Sequence, residues 1–280
     1  MSVAALYDVH GNLPALEAAL AAAERVPPAE REEWREVGMD DLPPLGPPGE
    51  EVSRETIEDL GVTIVRFANG STLTFKQTDF EKGSVSVQLR FGEGHSGLPA
   101  DEPSLAWLDG IVSASGVGDL DLDAMERLLT GRKMAMSFGI TEDALVLAGQ
   151  TNGTDLADQL RLLATKLAYP RWDDSLFARY QASGLESYDL HFASATARAR
   201  REFPAFSHSG DARWAAASRN AIADATADQF EAFFAPLLAE GPIHAVIVGD
   251  VDLETAVAAM EASVGALPTR PPTEAPAASL

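Results

Sequence analysis

There is no cysteine in this chain of 280 residues. Disulfides, thiolate metal sites and a cysteine nucleophile are therefore excluded. Positive charge is scarce as well: 21 lysines and arginines stand against 43 aspartates and glutamates, a formal charge of -22. Nucleic-acid partners need clustered Lys and Arg on their phosphates, so that class is excluded, and anionic membrane surfaces are disfavoured. No apolar run approaches the ~20 residues of a membrane-spanning helix. The N-terminus has no basic region followed by an apolar stretch, so no signal peptide is expected. Histidine is limited to His10, His95, His191, His208 and His244, no two of them one helical turn apart.

What the chain does have is 46% apolar content, enough for a substantial core. Its clearest pattern is the stretch from Val62 to Phe91. Ile64 and Phe67 precede Asn69-Gly70, and Leu73 and Phe75 follow it. Asn-Gly tolerates positive φ at both central turn positions, so two strands are expected to fold back here as a tight hairpin. Val85, Val87, Leu89 and Phe91 then alternate with Ser84, Ser86, Gln88 and Arg90, the signature of a strand with one buried face. Helices downstream need such a face to pack on.

Before this nucleus lie two different segments. Residues 1–26 read as a strand–helix appendage in which Asp8-Val9-His10-Gly11-Asn12 joins the two. This resembles the opening of calcineurin-like metallophosphoesterases, where Asp-x-His supplies metal ligands; Asp8 and His10 could converge on one ion from a strand tip. The family's Gly-Asn-His and Gly-His-x-His motifs do not follow. Residues 27–56 combine acidic residues with Pro27, Pro28, Pro43, Pro44, Pro47 and Pro48, a composition expected of a linker.

Beyond Phe91, helical spacing resumes in Ser104–Ser113 through Leu105, Leu108, Ile111 and Val112. Ser115-Gly116-Val117-Gly118 is a turn but not a phosphate loop, because no Gly-Lys-Ser/Thr follows. A helix is expected over Asp119–Thr130, strands over Lys133–Phe138 and Ala144–Ala148, and a helix capped by Thr154 with Leu156, Leu160, Leu163 and Leu167 on one stripe. Residues 172–203 read as mostly helical and contain the basic cluster Arg198, Arg200 and Arg201. Thr226 and Gln229 form a capping box ahead of Phe230, Phe233 and Phe234, and Pro236 is expected to bend or shorten that helix. Ile243–Val248 reads as a strand, with Asp252 capping a last helix. Residues 269–280 form a Pro/Ala-rich tail expected to be disordered.

Several phrases recur in a particular order: Phe67-Ala68-Asn69-Gly70, Lys76-Gln77-Thr78-Asp79-Phe80, Ser115-Gly116-Val117-Gly118, Gly131-Arg132-Lys133, Pro170-Arg171-Trp172-Asp173, Ile247-Val248-Gly249-Asp250 and Gly265-Ala266-Leu267-Pro268. Together they resemble the pitrilysin/insulinase zinc metallopeptidases, most closely the non-catalytic half found in the bacterial proteins of that family. The resemblance covers residues 57–268. It implies an α+β domain, mainly an antiparallel sheet with helices on one side, and a location in the cytoplasm or periplasm of a bacterium. It also implies a chamber that takes unstructured peptides and is closed against a zinc-bearing half or partner chain. In that family zinc sits on His-x-x-Glu-His, two imidazoles one helical turn apart with a Glu to deprotonate the bound water. The corresponding helix here offers Leu105, Trp107 and Leu108. No catalytic residue and no metal ligand is therefore expected in the domain, zinc is expected in the other half, and the substrate-binding residues are left open.

Overall fold

The computed structural model describes residues 36–99 and 103–272. Asp8, His10 and the expected appendage lie outside the described residues. Among the described residues, seven strands form one sheet: β1 (Glu51–Ile57), β2 (Val62–Phe67), β3 (Thr72–Gln77), β4 (Val85–Phe91), β5 (Ser137–Ile140), β6 (Leu145–Thr151) and β7 (His244–Gly249). Their order is β1-β2-β3-β7-β4-β6-β5. Only β3 and β7 run parallel; the other neighbours are antiparallel. The last strand in sequence thus fills the gap between β3 and β4.

A 3-10 turn (Pro103–Leu108) leads into α1 (Asp109–Ala114), and α2 (Leu122–Leu129), α3 (Leu156–Ala168) and α4 (Asp174–Ser187) follow, then α5 (Ala195–Ser207), α6 (Arg219–Asp224), α7 (Ala227–Ala239) and α8 (Leu253–Glu261). The helices cover one face of the sheet. Val87, Leu89 and Ile247 share a single apolar cluster with Leu160 and Leu163 of α3, Phe234 of α7 and Met260 of α8. Burying a side chain of this size contributes about 1.5–3 kcal/mol. The mainly antiparallel α+β domain that the resemblance implies is the one observed.

The opposite face of the sheet is left open by the described residues. Side chains paired across neighbouring strands point the same way, so register reads this face in rows. One row runs Ser53, Arg66, Thr72, His244, Arg90, Val146, Gly139 from edge to edge. The next runs Glu55, Ile64, Thr74, Val246, Gln88, Ala148, Ser137.

The hairpin falls where Asn69-Gly70 places it, but the turn is of a different kind. Gly70 alone has positive φ (87°). Gly70 N–H donates to Phe67 O, and Phe67 N–H to Ser71 O, giving a three-residue loop with glycine in the left-handed position. Asn69 acts through its side chain instead. Its Nδ2 donates to Val264 O (2.9 Å) and Leu267 O (3.0 Å), while its Oδ1 accepts from Ser71 N–H and Oγ–H. The hairpin is tied to the chain's far end.

Further expectations are corrected. Residues 37–56, expected as a linker, are built into the domain. Met39 and Leu42 are buried against Val117, Met125 and Leu128, Gly49 N–H bonds Glu261 O, and β1 pairs along β2. A Cβ on Gly49 would lie 2.4 Å from Gly265 O, so only glycine fits that approach. Prolines keep this stretch extended without preventing a few apolar residues from docking. The expected strand over Lys133–Phe138 begins only at Ser137. Ahead of it, Gln159 donates to Ala135 O (2.9 Å) and accepts from Ala135 N–H (3.0 Å), a side chain taking the place of a strand neighbour. The residue before α3 is Asp155 rather than Thr154, its N–H held by Asn152 Oδ1. At the C-terminal end, residues 269–272 are held: Gly241 N–H bonds Pro271 O, and Arg270 donates to Leu238 O and Glu240 O while its guanidinium lies 5.1 Å from the Phe91 ring centre. Helix α7 continues past Pro236 to Ala239.

Candidate functional site

The segment that resembles the zinc-bearing helix is the turn over Pro103–Leu108 with α1. Leu105, Leu108 and Ile111 point into the core. Opposite stands α4, whose glycine and tyrosine meet it closely. A Cβ on Gly184 would lie 3.2 Å from the Trp107 ring, and one on Gly110 would lie 3.2 Å from the Tyr180 ring. The space between the two helices is therefore filled by aromatic rings. The acid on α1 is Asp109, and burial pushes its carboxyl above the ordinary range. Among the described residues no three His, Asp or Glu side chains converge in a way that could hold a metal ion. With leucine and tryptophan where imidazoles would be needed, the residues here do not fit a zinc ion.

Two of the remaining histidines meet at one place. Trp214 has His208 stacked on it at 4.2 Å between ring centres, 11° from parallel, and His95 at 5.7 Å. The Arg213 guanidinium lies 5.2 Å from the same ring. Arg213 is nearly buried; it forks onto Asp211 and donates to Ser96 O (2.6 Å). His208 faces an acceptor at each nitrogen, Glu142 at Nε2 (2.9 Å) and Pro204 O at Nδ1 (2.8 Å). Both nitrogens are then best served as donors, which is the imidazolium form. The Glu142 carboxylate and the Pro204 carbonyl accordingly raise the His208 pKa above its ordinary value. His208 and Asp211, spaced for one helix face, do not act as a ligand pair, because the carboxylate turns to Arg213, which holds it below the usual range. The cluster joins the outlying segment of α5 to the β5–β6 turn.

The Ser115–Gly118 turn proves to be a cation cradle. Lys166 of α3 is fully buried, and its Nζ donates to Ser115 O (2.8 Å), Gly116 O (2.8 Å) and Ser115 Oγ (2.6 Å). Carbonyl oxygens point inward, the reverse of a loop that offers N–H groups to phosphate. Sequence reasoning missed Lys166. The signal available was Gln159 and Lys166, two polar residues seven apart and therefore on one face of the helix, beside the leucine stripe. His244 lies on the open sheet face, its Nδ1 2.8 Å from Thr72 Oγ1. In the basic cluster, Arg198 pairs with Glu202, and Arg201 bonds Ala217 O and stands over the rings of Tyr188 and Phe192.

No protein-family model matches the chain, and no curated protein matches it. Solved structures do. The periplasmic protease PqqL from Escherichia coli superposes with a TM-score of 0.69 at 20% identity, over 94% of this chain and 29% of that one. An M16 peptidase inactive domain from Pseudomonas fluorescens gives 0.61 at 22% identity, over 77% and 54%. Pitrilysin gives 0.59 at 12% identity, over 79% and 25%. The fold is that of pitrilysin/M16 peptidase domains. The chain spans under a third of the length of the full protease PqqL.

Proposed function

We propose that this chain is a non-catalytic domain of a pitrilysin/insulinase-type zinc peptidase. It helps to wall a chamber for unstructured peptides and docks on a zinc-bearing half or partner subunit. The observation that carries this reading is the Trp107–Gly184 contact. Aromatic packing occupies the position that resembles the zinc helix, and Leu105, Trp107 and Leu108, none of which can ligate a metal, stand where imidazoles would be needed. The likeness to an M16 inactive domain supports the same reading. The domain's contribution to proteolysis is then binding and enclosure, with zinc supplied from the other half.

The test is metal content by elemental mass spectrometry after dialysis without chelator, paired with cleavage of an unstructured peptide. Zinc far below one equivalent and no cleavage by the chain alone is the expected result. Near-stoichiometric zinc with cleavage overturns it. Manganese or iron bound in proportion to protein and lost in His10→Ala would instead return the phosphoesterase expectation attached to Asp8 and His10.

A further inference from the structure

The open face of the sheet has a charge pattern opposite to that of the chain. The protein carries a formal charge of -22, yet strands β2, β3, β4, β5, β6 and β7 contain no aspartate or glutamate. Their solvent-facing positions carry Arg66, Lys76, Arg90 and His244 among Thr, Ser, Gln and half-buried Val residues. In the two edge-to-edge rows the one carboxylate is Glu55, on the outermost strand. Arg90 pairs with Asp143 at the rim (3.0 Å). Arg66 and Lys76 have no side-chain partner among the described residues, and both are at least partly exposed. A large acidic protein has thus kept the central strands of one broad surface free of acids.

Register makes this surface specific. Arg66, Thr72, His244 and Arg90 stand directly abreast on four adjacent strands. Three interstrand steps of ~4.8 Å separate the two arginines, roughly 14 Å along the row. A fully extended polypeptide rises ~3.4 Å per residue, so side chains at i and i+4 on one face are also roughly 14 Å apart. A segment lying across the strands could set carboxylates at i and i+4 on Arg66 and Arg90. Its residue at i+2 would then sit over the Thr72–His244 pair.

We propose that this face is the docking surface for extended, acidic polypeptide segments with carboxylates four residues apart. The inference rests on the peptide-chamber reading and names its substrate class. Each cation supplies a charge-assisted hydrogen bond, the half-exposed Val246 and Ile64 of the next row supply apolar contact, and basic segments find no counter-charge on the central strands.

The experiment is fluorescence anisotropy of the full chain with three dye-labelled peptides of equal length on a Gly/Ser/Thr/Val background. They carry Glu at i and i+4, Lys at i and i+4, or Glu at i and i+3. The first is expected to bind tightest. Arg66→Glu, an exposed substitution whose fold is checked by circular dichroism, should weaken it about fivefold or more. Equal binding of the Glu and Lys peptides, or unchanged binding by Arg66→Glu, overturns the proposal and leaves the chamber reading standing. Binding of no peptide at all overturns both. Self-association of the chain that Arg66→Glu abolishes would assign the face to a second copy and overturn the acidic-peptide proposal.

Discussion

Helices α3 and α5 are both 13 residues long and have opposite environments. Leu156, Leu160, Leu162 and Leu163 of α3 are entirely buried, and so are its polar residues Gln159, Thr165 and Lys166. Helix α5 has no buried residue, and its Phe203 and Phe206 are 62% and 80% exposed. The first helix is held by packing around most of its circumference, with only Ala157 and Ala168 exposed. The second is held at a few points: Ser194 caps its start by accepting from Ala197 N–H, Arg201 at mid-helix bonds Ala217 O and stands over the Tyr188 and Phe192 rings, and His208 meets Glu142 just past its last turn. Helical geometry alone therefore says little about stability; what matters is which contacts would have to break for the helix to open.

The largest effect belongs in α3. Leu160→Ala removes a fully buried side chain from the centre of the main cluster, with an expected loss of about 2–5 kcal/mol in urea unfolding. A loss below about 1 kcal/mol would mean that α3 can relax around the cavity and that the contrast with α5 is overstated.

Lys166 sharpens the contrast from the polar side. Burial pulls its pKa down from 10.5 to about 7. Between those values the unfolded chain binds more protons than the folded one, so this group's contribution to stability rises with pH across that window. Lys166→Met has no such slope, and it leaves Ser115 O and Gly116 O without their donor, at about 1–3 kcal/mol. The cost of the substitution should accordingly grow between pH 7 and pH 9.5 in urea titrations of both proteins. A cost independent of pH would show that the three acceptors keep Lys166 charged in the fold throughout.

At the end of α5 the sign reverses. The His208 pKa is raised by Glu142 and the Pro204 carbonyl above 6.5, so the latch is fully made below that value and is lost as pH rises through the raised one. Hydrogen exchange of residues 205–215, corrected for intrinsic rates, should show more frequent opening at pH 8 than at pH 6. Glu142→Gln removes the leading cause of the shift and should flatten this difference while leaving α3 protected. Equal protection at both pH values in the wild type would place the hold elsewhere, on the Arg213 fork.

What could be read from the sequence follows the same division. Strands β2, β3, β4, β6 and β7 and the leucine stripe of α3 were legible because their burial is written in local period. Strand β1 was not: as an edge strand it is exposed on both faces, and Glu51, Arg54 and Glu55 read as linker. Asn69 was recognised as a turn residue, but its actual partners, Val264 and Leu267, lie nearly two hundred positions away. The Trp214 cluster gathers His95, Glu142 and His208 from three segments with no shared motif. The basic row is hidden for a related reason. Arg66, Thr72, His244 and Arg90 become neighbours only because β7 inserts between β3 and β4, and strand order is not a local property of the chain. The aromatic filling around Trp107 was half legible: the missing histidines were plain, whereas the contact with Gly184 required the tertiary structure.

The smallest expected effect is also the cleanest check on the comparison. Phe206→Ala removes a large side chain that is 80% exposed and whose ring neighbour is Phe203, 6.4 Å away and itself exposed. Little area leaves water when the chain folds, so global stability should change by no more than about 0.5 kcal/mol. The helix is then a separately opening unit whose exposed rings cost the core nothing. A loss above about 1.5 kcal/mol would place Phe206 under cover in solution, and α5 would have to be regarded as a packed element like α3 rather than one secured at a few points.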